Sequence, residues 1–292
     1  MATVFYDKAA VKVTVADMSE VLLASDCSVS FSNSQQPFYA IGNKGALGQF
    51  PNAARQGDVS FSFLTSITGV NDGQPGNLIN FLASGIKNST NSVATGVTIQ
   101  FAGVSGVGFL NSYGFDVASN TISTSNASFS FFGSGEQLPV SGRLSGSLYS
   151  PTATSTQLAT GIAHGRYTTL PSTLQTEISS PTAATEVGTI FGADYSITFN
   201  HSPVFKVGQE FPTTTFYTTA SENVNVTEDV FNSGLAFDEA NIAAINIDLK
   251  GLEADSSNKM QVGIKNVKQV STSMSVGLDD IVRTQKSLTA AY

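Results

Sequence analysis

Apolar and polar residues alternate with a period of two along most of this chain. In SVSFS (28–32), three serines lie on one side of an extended backbone, opposite Val29 and Phe31. This period is typical of a β-strand with one buried face, so each segment that shows it is predicted to be a strand. The other such segments are DVSFSFL (58–64), VTIQFAG (97–103), ASFSFFG (127–133), YSITFN (195–200), VNVTEDVF (224–231), INIDLKG (245–251) and MQVGIKNV (260–267).

Helical spacing is confined to two short segments. In NLINFLASG (77–85), apolar residues between Leu78 and Leu82 fall on one face, and Gly85 is a candidate stop. A weaker pattern is DEANIAAI (238–245). Turn sequences such as NDGQPGN (71–77) separate the elements. The predicted fold class is mainly β, with twisted antiparallel sheets or β-sandwiches and one short helix in each half.

Several elements of the first half recur, in the same order, in the second half. We interpret this as a duplication with changed loop lengths, which predicts a first unit at 1–138, a connecting segment rich in Ser, Thr, Ala and Pro at 139–188, and a second unit at 189–292. The matched pairs are SVSFS (28–32) with SITFN (196–200), PFYAIG (37–42) with PVFKVG (203–208), QFP (49–51) with EFP (210–212), and TIQFAGV (98–104) with NIDLKGL (246–252).

The composition provides a core but few charges. Hydrophobic residues make up 41% of the 292 positions and include 20 Phe, whereas charged residues make up only 12%. An ordinary soluble domain has about 25% charged residues. The net charge is −8, and the only basic residues between Val59 and Phe205 are Lys87, Arg143 and Arg166. A groove that grips nucleic acid needs clustered cations, so this class of site is not expected.

The chain ends and the cysteine count predict a soluble protein made in a cytoplasm. Cys27 is the only cysteine, which excludes an internal disulfide. The segment MATVFYDKAA lacks a charged-then-apolar pattern, so we do not expect a secretory signal. Aliphatic runs such as VLLA (21–24) are far shorter than the roughly 20 residues that span a bilayer, so no membrane partner is expected.

Candidate chemistry is sparse, and we expect that the protein is not an enzyme. His201 falls in a predicted turn, His164 has no acidic or Cys neighbour in sequence, and no nucleophile-elbow motif occurs. The Gly-rich segments GNKGALG (42–48) and GVSGVG (103–108) lack the Walker spacing and are predicted to form turns. LDD (278–280) is too small a cluster for a metal site. No catalytic residue, metal ligand or cofactor is therefore predicted.

The neutral strand face is the most informative feature. The Val and Phe residues of these strands, Phe31 among them, are predicted to pack inward against the short helix. Exposed sheets are usually protected by charges, so a neutral face suggests that the sheet edges pair with neighbouring subunits. The residues predicted to face a lumen or solvent are Ser28, Ser30, Ser60, Ser62, Ser128 and Ser130.

Together these features resemble the tail tube proteins of tailed bacteriophages. The resemblance rests on SVSFS…PFYAIGN with DVSFSFL, on the helix NLINFLAS, and on the closing pair at 108–133, and it covers about two thirds of the chain. It implies two tail-tube-like domains whose sheets join those of neighbours around a β-barrel lumen, in rings that stack into a tube. For a duplicated domain it implies three chains per ring of six domains.

The resemblance also implies location and partners. The chain would belong to the virion tail, after synthesis in the host bacterial cytoplasm, and would contact a terminator, a baseplate and, in a contractile tail, a sheath. DNA would cross the lumen without specific binding, since hydroxyls with a mild acidic bias offer no cation to the phosphates. The loops predicted to contact the next ring contain Asn43, Lys44, Gly45, Gln49, Phe50, Gln209, Glu210 and Phe211.

Other functions stay open at this point. A baseplate hub, tail terminator or neck protein of the same fold would form a single ring, so copy number in the particle distinguishes it from a tube. A carbohydrate-binding adhesin or decoration β-sandwich would need exposed aromatic platforms, and the sequence contains no Trp. A hydrolase is the third alternative, weakened by the lack of a nucleophile motif.

Overall fold

The computed structural model describes residues 10–32, 34–51, 56–66, 77–89, 93–101, 104–118, 121–132, 166–170, 185–186, 190–209, 212–229, 244–250, 259–276 and 282–291. These residues form antiparallel β-sheets and one α-helix, which confirms the mainly β class. The first half contains β1 (Val11–Val15), β2 (Met18–Leu22), β3 (Ala24–Ser32), β4 (Gln35–Phe38), β5 (Gly48–Pro51), β6 (Gln56–Leu64), α1 (Leu78–Asn88), β7 (Val97–Phe101), β8 (Val104–Ala118) and β9 (Thr124–Phe131).

The second half contributes strands only, within the residues that the structure describes. The predicted helix at 238–245 lies outside them, except for Ala244 and Ile245, which begin a strand. The strands are β10 (Arg166–Leu170), β11 (Thr185–Glu186), β12 (Ile190–Val204), β13 (Thr214–Asp229), β14 (Ala244–Lys250), β15 (Lys259–Lys265), β16 (Lys268–Ser275) and β17 (Arg283–Ala291).

One continuous layer of eight strands joins the two halves. Its order is β3-β6-β9-β8-β12-β13-β17-β16, and neighbours pair antiparallel. The link is β8, whose residues from Ser112 to Asp116 pair with β9 on one edge and with β12 on the other. The backbones approach closely there, because a Cβ atom at Gly114 would lie 2.7 Å from the carbonyl oxygen of Tyr195.

The two four-strand groups of this layer have the same connectivity. In space, the strands of the two groups follow the orders β3-β6-β9-β8 and β12-β13-β17-β16. In each group the strand that comes third along the chain, β8 or β16, lies at the end, and the strand that comes fourth, β9 or β17, lies between it and the second strand. A smaller sheet accompanies each group: β2-β1-β7 with the start of β8, and β11-β10-β14-β15. Strands β10 and β11 fall within the predicted connecting segment and pair with each other, and β10 pairs with β14. The unit boundaries at 138 and 188 stay a prediction.

The core lies on the apolar face of the eight-stranded layer and consists largely of aromatic rings. The rings of Phe61 and Phe129 stack with centroids 5.9 Å apart, and those of Phe115 and Tyr195 meet across the β8–β12 junction at 5.1 Å. Burying a side chain of this size stabilises the fold by about 1.5–3 kcal/mol. Since Tyr195 belongs to the second half and Phe115 to the first, the two halves share one core.

Helix α1 closes this core and is longer than the sequence predicted. Its N-terminus is capped by Asn77, whose Oδ1 accepts a hydrogen bond from the Asn80 amide at 2.8 Å. The predicted stop at Gly85 is wrong, because the helix continues to Asn88. The extra turn is held by Ile86, which packs against the core, and by Lys87, which reaches the second half.

Candidate functional site

A row of polar residues crosses all eight strands of the layer. Starting from Asp26 in β3, each residue lies directly opposite the next, until the row ends at Lys268 in β16. None of the eight positions is apolar apart from one glycine. The face that contains this row is called the polar face below. In order the residues are Asp26, Ser62, Asn126, Gly114, Ser196, Asn223, Thr289 and Lys268.

The predicted serines lie on this polar face and hydrogen-bond across its strands. The Oγ atoms of Ser28 and Ser60 are 2.7 Å apart. Ser128 Oγ lies 2.7 Å from the hydroxyl of Ser112, and Ser130 Oγ donates to Asp58 Oδ1 at 2.7 Å. Ser30 is exposed and Ser62 is half-buried. Hydroxyls that satisfy one another in this way form a smooth surface without strong binding groups.

The face continues through the second half, which the sequence prediction did not include. Ser196, Thr198 and Asn200 are exposed along β12, and Asn200 Nδ2 donates to Thr219 Oγ1 at 2.7 Å. The alternation of polar and apolar residues in YSITFN and ENVNVTE indicates these polar positions, but the residues predicted to form the face were serines of the first half alone. Polar side chains therefore extend across both four-strand groups.

Carboxylates are part of the polar face. Asp116 in β8 and Asp194 in β12 lie directly opposite each other. Burial, together with the charge of Asp116, raises the pKa of Asp194 above its ordinary value. Asp58 also lies on this face, whereas the described cations on it, Lys268 and Arg283, lie in the last two strands of the layer. The part of the face formed by β6, β8, β9 and β12 is consequently acidic.

Both outer strands of the layer leave apolar side chains in solvent. No described strand pairs with the outer edge of β3 or of β16. Phe31 in β3 is 48% exposed, so the prediction that it packs inward is wrong; at the sheet edge no neighbouring strand covers it. In β16, Met274 is 45% exposed and Val270 59%. These two edges are the least protected part of the described layer.

Two arms project from the same end of the layer. The first is the hairpin of β4 and β5, and the second is the continuation of β12 and β13 around residues 203–214. Each arm tip is a four-residue turn in which the third residue is glycine with positive φ, Gly42 at 94° and Gly208 at 83°. Hydrogen bonds from Asn43 N to Ala40 O and from Gln209 N to Lys206 O close the two turns.

The arm tips expose large aliphatic side chains that the sequence prediction missed. Ile41 and Val207 directly precede the turn glycines, with relative exposures of 108% and 106%. The recurrence of an aliphatic residue before glycine in PFYAIG and PVFKVG was the available signal. Of the predicted stacking residues, the structure places Asn43, Lys44, Gly45, Gln49, Phe50 and Gln209 in exposed arm positions, whereas Glu210 and Phe211 lie outside the described residues.

The described residues that could carry chemistry have structural surroundings. His201 lies within β12, opposite Tyr217, so the prediction of a turn there is wrong. Its ring packs edge-on against Phe132 with ring centroids 5.4 Å apart, and burial lowers the pKa of its imidazole. Burial and the neighbouring Asp26 raise the pKa of the half-buried Cys27 thiol to about 12. No group of three or more potential ligands able to hold a metal ion occurs in the described ranges. His164 lies outside those ranges.

Comparison with known proteins gives little further information. No family model matches the chain, and no curated protein does. Among solved structures, a chain from the tail of an empty GTA particle with C6 symmetry is similar, with a TM-score of 0.35 and 11% identity. The match covers 45% of this chain and 96% of that chain. Similarity at this level does not establish a shared function. In the part of the chain that the structure describes, no helix is long and apolar enough to cross a membrane.

Proposed function

We propose that this chain is a structural protein of a phage-type tail, which closes into rings that stack into a tube. The observation that carries the proposal is the polar row from Asp26 to Lys268, which crosses the whole layer and ends at two unpaired edges. A surface of this kind is unsuited to burial in a core and offers little to a tight ligand. It is well suited to line a water-filled passage.

Closure explains why the edges can remain unprotected in the single chain. An open, weakly charged edge is a template for pairing with another chain, and a closed barrel has no edges. Each of three chains would contribute its own eight-stranded layer to one ring, which is the arrangement that a duplicated unit implies. About 24 strands, spaced roughly 4.8 Å apart and tilted by about 40° to the barrel axis, give a circumference of roughly 150 Å and a backbone-to-backbone diameter of roughly 48 Å.

The chemistry of the polar face fits a passage for DNA. Over β6, β8, β9 and β12 the hydroxyl and amide groups give phosphates no cation to bind, and the carboxylates Asp58, Asp116 and Asp194 repel them weakly. The described cations of the face, Lys268 and Arg283, are confined to the last two strands. Each phosphate that a protein cation neutralises adds affinity and would slow the DNA. The lumen would therefore let a duplex slide, and the chain would need no catalytic residue or cofactor.

The arms would connect successive rings. Both project from one end of the layer, and each exposes an aliphatic residue, Ile41 or Val207, at a hydrogen-bonded turn. Contacts between one end of a ring and the opposite end of the next are head-to-tail, so they repeat without limit and build a tube. Other tail proteins would end the tube at its two termini.

The proposal is tested by imaging the purified protein at increasing concentration. Negative-stain electron microscopy should show rings with a central hole and, at higher concentration, stacks of such rings. Single rings that never stack would favour a hub, terminator or neck role. A protein that stays monomeric at every concentration, or that forms solid fibres, would contradict the proposal.

A further inference from the structure

We propose that β16 of one chain pairs antiparallel with β3 of a second copy, in the register that places Thr272 opposite Cys27. This inference rests on the proposed function, since it concerns the joint between chains of a ring. It goes further by naming the strands, their direction and the residue pairs. The observation that supports it is the antiparallel pairing of β8 with β12, which joins the two four-strand groups inside the single chain.

Strand β3 occupies in the first four-strand group the place that β12 occupies in the second. Each begins its group, and each is followed along the chain by the strand with which it pairs. Cys27 lies opposite Phe61 in β6, and Tyr195 lies opposite Val224 in β13. The matched sequences SVSFS and SITFN then make Cys27 the counterpart of Tyr195.

Strand β16 is in the same way the counterpart of β8. Between its second strand and its last strand, each group has one more strand, β9 in the first group and β17 in the second. Following the residue pairs from β6 into β9 and from β13 into β17 makes Ser125 of β9 the counterpart of Lys286 of β17. Phe115 of β8 lies opposite Ser125, and Thr272 of β16 lies opposite Lys286. In the β8–β12 joint, Phe115 lies opposite Tyr195. The counterpart of that pair, between two chains, is Thr272 with Cys27.

The exposed apolar residues of the edges support this assignment. Phe31 is 48% exposed, whereas its counterpart in β12, Phe199, is 3% exposed. Met274 is 45% exposed, whereas its counterpart in β8, Val117, is 9% exposed. Val117 lies opposite Ala193 within the β8–β12 pairing, and Phe199 directly follows Thr198, the last residue of β12 in that pairing. Both open edges therefore carry apolar side chains at positions that are buried within or next to that pairing. A second copy would cover them in the same way.

The charges of the two edges are also complementary. The charged residue of β3 is Asp26 and that of β16 is Lys268. Because β16 has a bulge between Gln269 and Ser271, the proposed register places Lys268 opposite Ser30, which itself lies opposite Asp58 in β6. The Lys268 ammonium would therefore approach the acidic part of the neighbouring chain rather than another cation. The favoured occupant of each edge is thus the other edge of the same protein.

Disulfide trapping tests the strands and the register together. Because Cys27 is the only cysteine, Thr272→Cys adds a single partner. Directly opposite residues bring their Cβ atoms to about 4.5–5.5 Å, near the separation that a disulfide requires. After oxidation with copper phenanthroline, Thr272→Cys should give covalent dimers and trimers on a non-reducing gel. The ladder should end at the trimer, because a ring of three has no free edge.

A matched control fixes the register. Met274→Cys places the new thiol on the same side of β16, two residues further along, where the Cβ separation from Cys27 is about 7–8 Å. Its cross-linking should be at least tenfold slower than that of Thr272→Cys.

A second pair of substitutions tests the same register one position further along. Ser28→Cys with Ser271→Cys, in a Cys27→Ser background, should also cross-link. Adjacent pairs alternate between wide and narrow spacing, so at least one of the two pairs is close.

Mixing shows that the bond joins different chains. Wild-type protein and the Cys27→Ser, Thr272→Cys variant each carry one thiol, so only their mixture should give the mixed dimer. Rings that form without cross-links at either pair would overturn the strand assignment and leave the proposed function standing. Equal cross-linking of Met274→Cys would overturn the register. Absence of any oligomer for wild type and variants would overturn both proposals.

Discussion

Lys87 Nζ lies 2.9 Å from Glu222 Oε1, and the two side chains are only 8% and 0% exposed. The ammonium also donates to the carbonyl oxygen of Gly263, and the Tyr195 hydroxyl donates to the same Glu222 oxygen at 2.6 Å. Lys87 lies in the last turn of helix α1 in the first half, whereas Glu222 belongs to β13 in the second. The ion pair therefore joins the two halves of the chain.

Removing one partner of this pair should destabilise the protein strongly. In Lys87→Met the Glu222 carboxylate would stay buried without its cation, and the expected loss in the free energy of unfolding is about 3–5 kcal/mol. Urea denaturation measures the change. Lys44→Met, at an exposed arm position, should change the free energy of unfolding by less than about 0.5 kcal/mol. A double variant, Lys87→Met with Glu222→Leu, should be more stable than Lys87→Met alone.

Glu20 should make stability depend on pH. Its Oε2 accepts a hydrogen bond from the Leu78 amide at 2.7 Å, but burial raises the pKa of its carboxyl from 4.5 to about 7. The folded chain then binds more protons at Glu20 than the unfolded chain does between these values, so the contribution of Glu20 to stability is fully present below pH 4.5 and is lost as the pH rises to about 7. At about 1.4 kcal/mol per pH unit, the fall is roughly 3 kcal/mol.

Glu20→Gln isolates this contribution, since the amide keeps an acceptor for Leu78 and does not ionise. The difference in the free energy of unfolding between Glu20→Gln and wild type should therefore grow across the interval from pH 4.5 to 7. A difference that is constant with pH would contradict the assignment. Glu222→Gln is unsuitable as a control because it also breaks the ion pair with Lys87.

The strands were predictable because local alternation and burial agree. Val59, Phe61 and Phe63 alternate with polar residues and are buried in β6, as DVSFSFL indicated. The 15-residue strand β8 was not predictable, because its length depends on partners from distant parts of the chain. Glu222 was not predictable either, since a glutamate at an inward position is tolerated only because Lys87 reaches it from a different element.

The polar face was only half predictable, for a related reason. Serine alternation identified the face in β3, β6 and β9, but the continuation through Gly114 and Ser196 depends on the β8–β12 joint. Sequence also cannot show that a strand lies at an edge, which is why Phe31 was expected to be buried. Residue type sets which face is apolar, whereas tertiary pairing sets which strand is left without a neighbour.

Phe31 and Phe199 should respond in opposite ways to the same substitution. Phe31→Lys should leave the single chain folded, since this ring is 48% exposed, but should weaken ring formation at least tenfold by placing a charge in the joint. Phe199→Lys should lower the free energy of unfolding by about 3–5 kcal/mol, since this ring is 3% exposed. Sedimentation velocity and urea denaturation separate the two effects. Normal rings from folded Phe31→Lys would contradict the role of the β3 edge.

The arm tips should control stacking without affecting the ring. Ile41→Asp combined with Val207→Asp places charges where an apolar contact with the next ring is proposed, so stacks should disappear while single rings persist. Gly85→Asp combined with Asn88→Asp adds the same two charges at exposed positions of helix α1, outside the arms, and should leave tube length within about twofold of wild type. Tube lengths are measured on electron micrographs. Unchanged stacks in the double variant would contradict the role of the tips.

The most direct test of the central claim is a cryo-electron-microscopy reconstruction of the assembled protein. It should show a closed barrel in which Ser60, Ser128 and Ser196 point into an open lumen, with β3 of each chain beside β16 of its neighbour. A self-contained sandwich whose polar face looks outward, or an assembly with that face buried between chains, would contradict the claim.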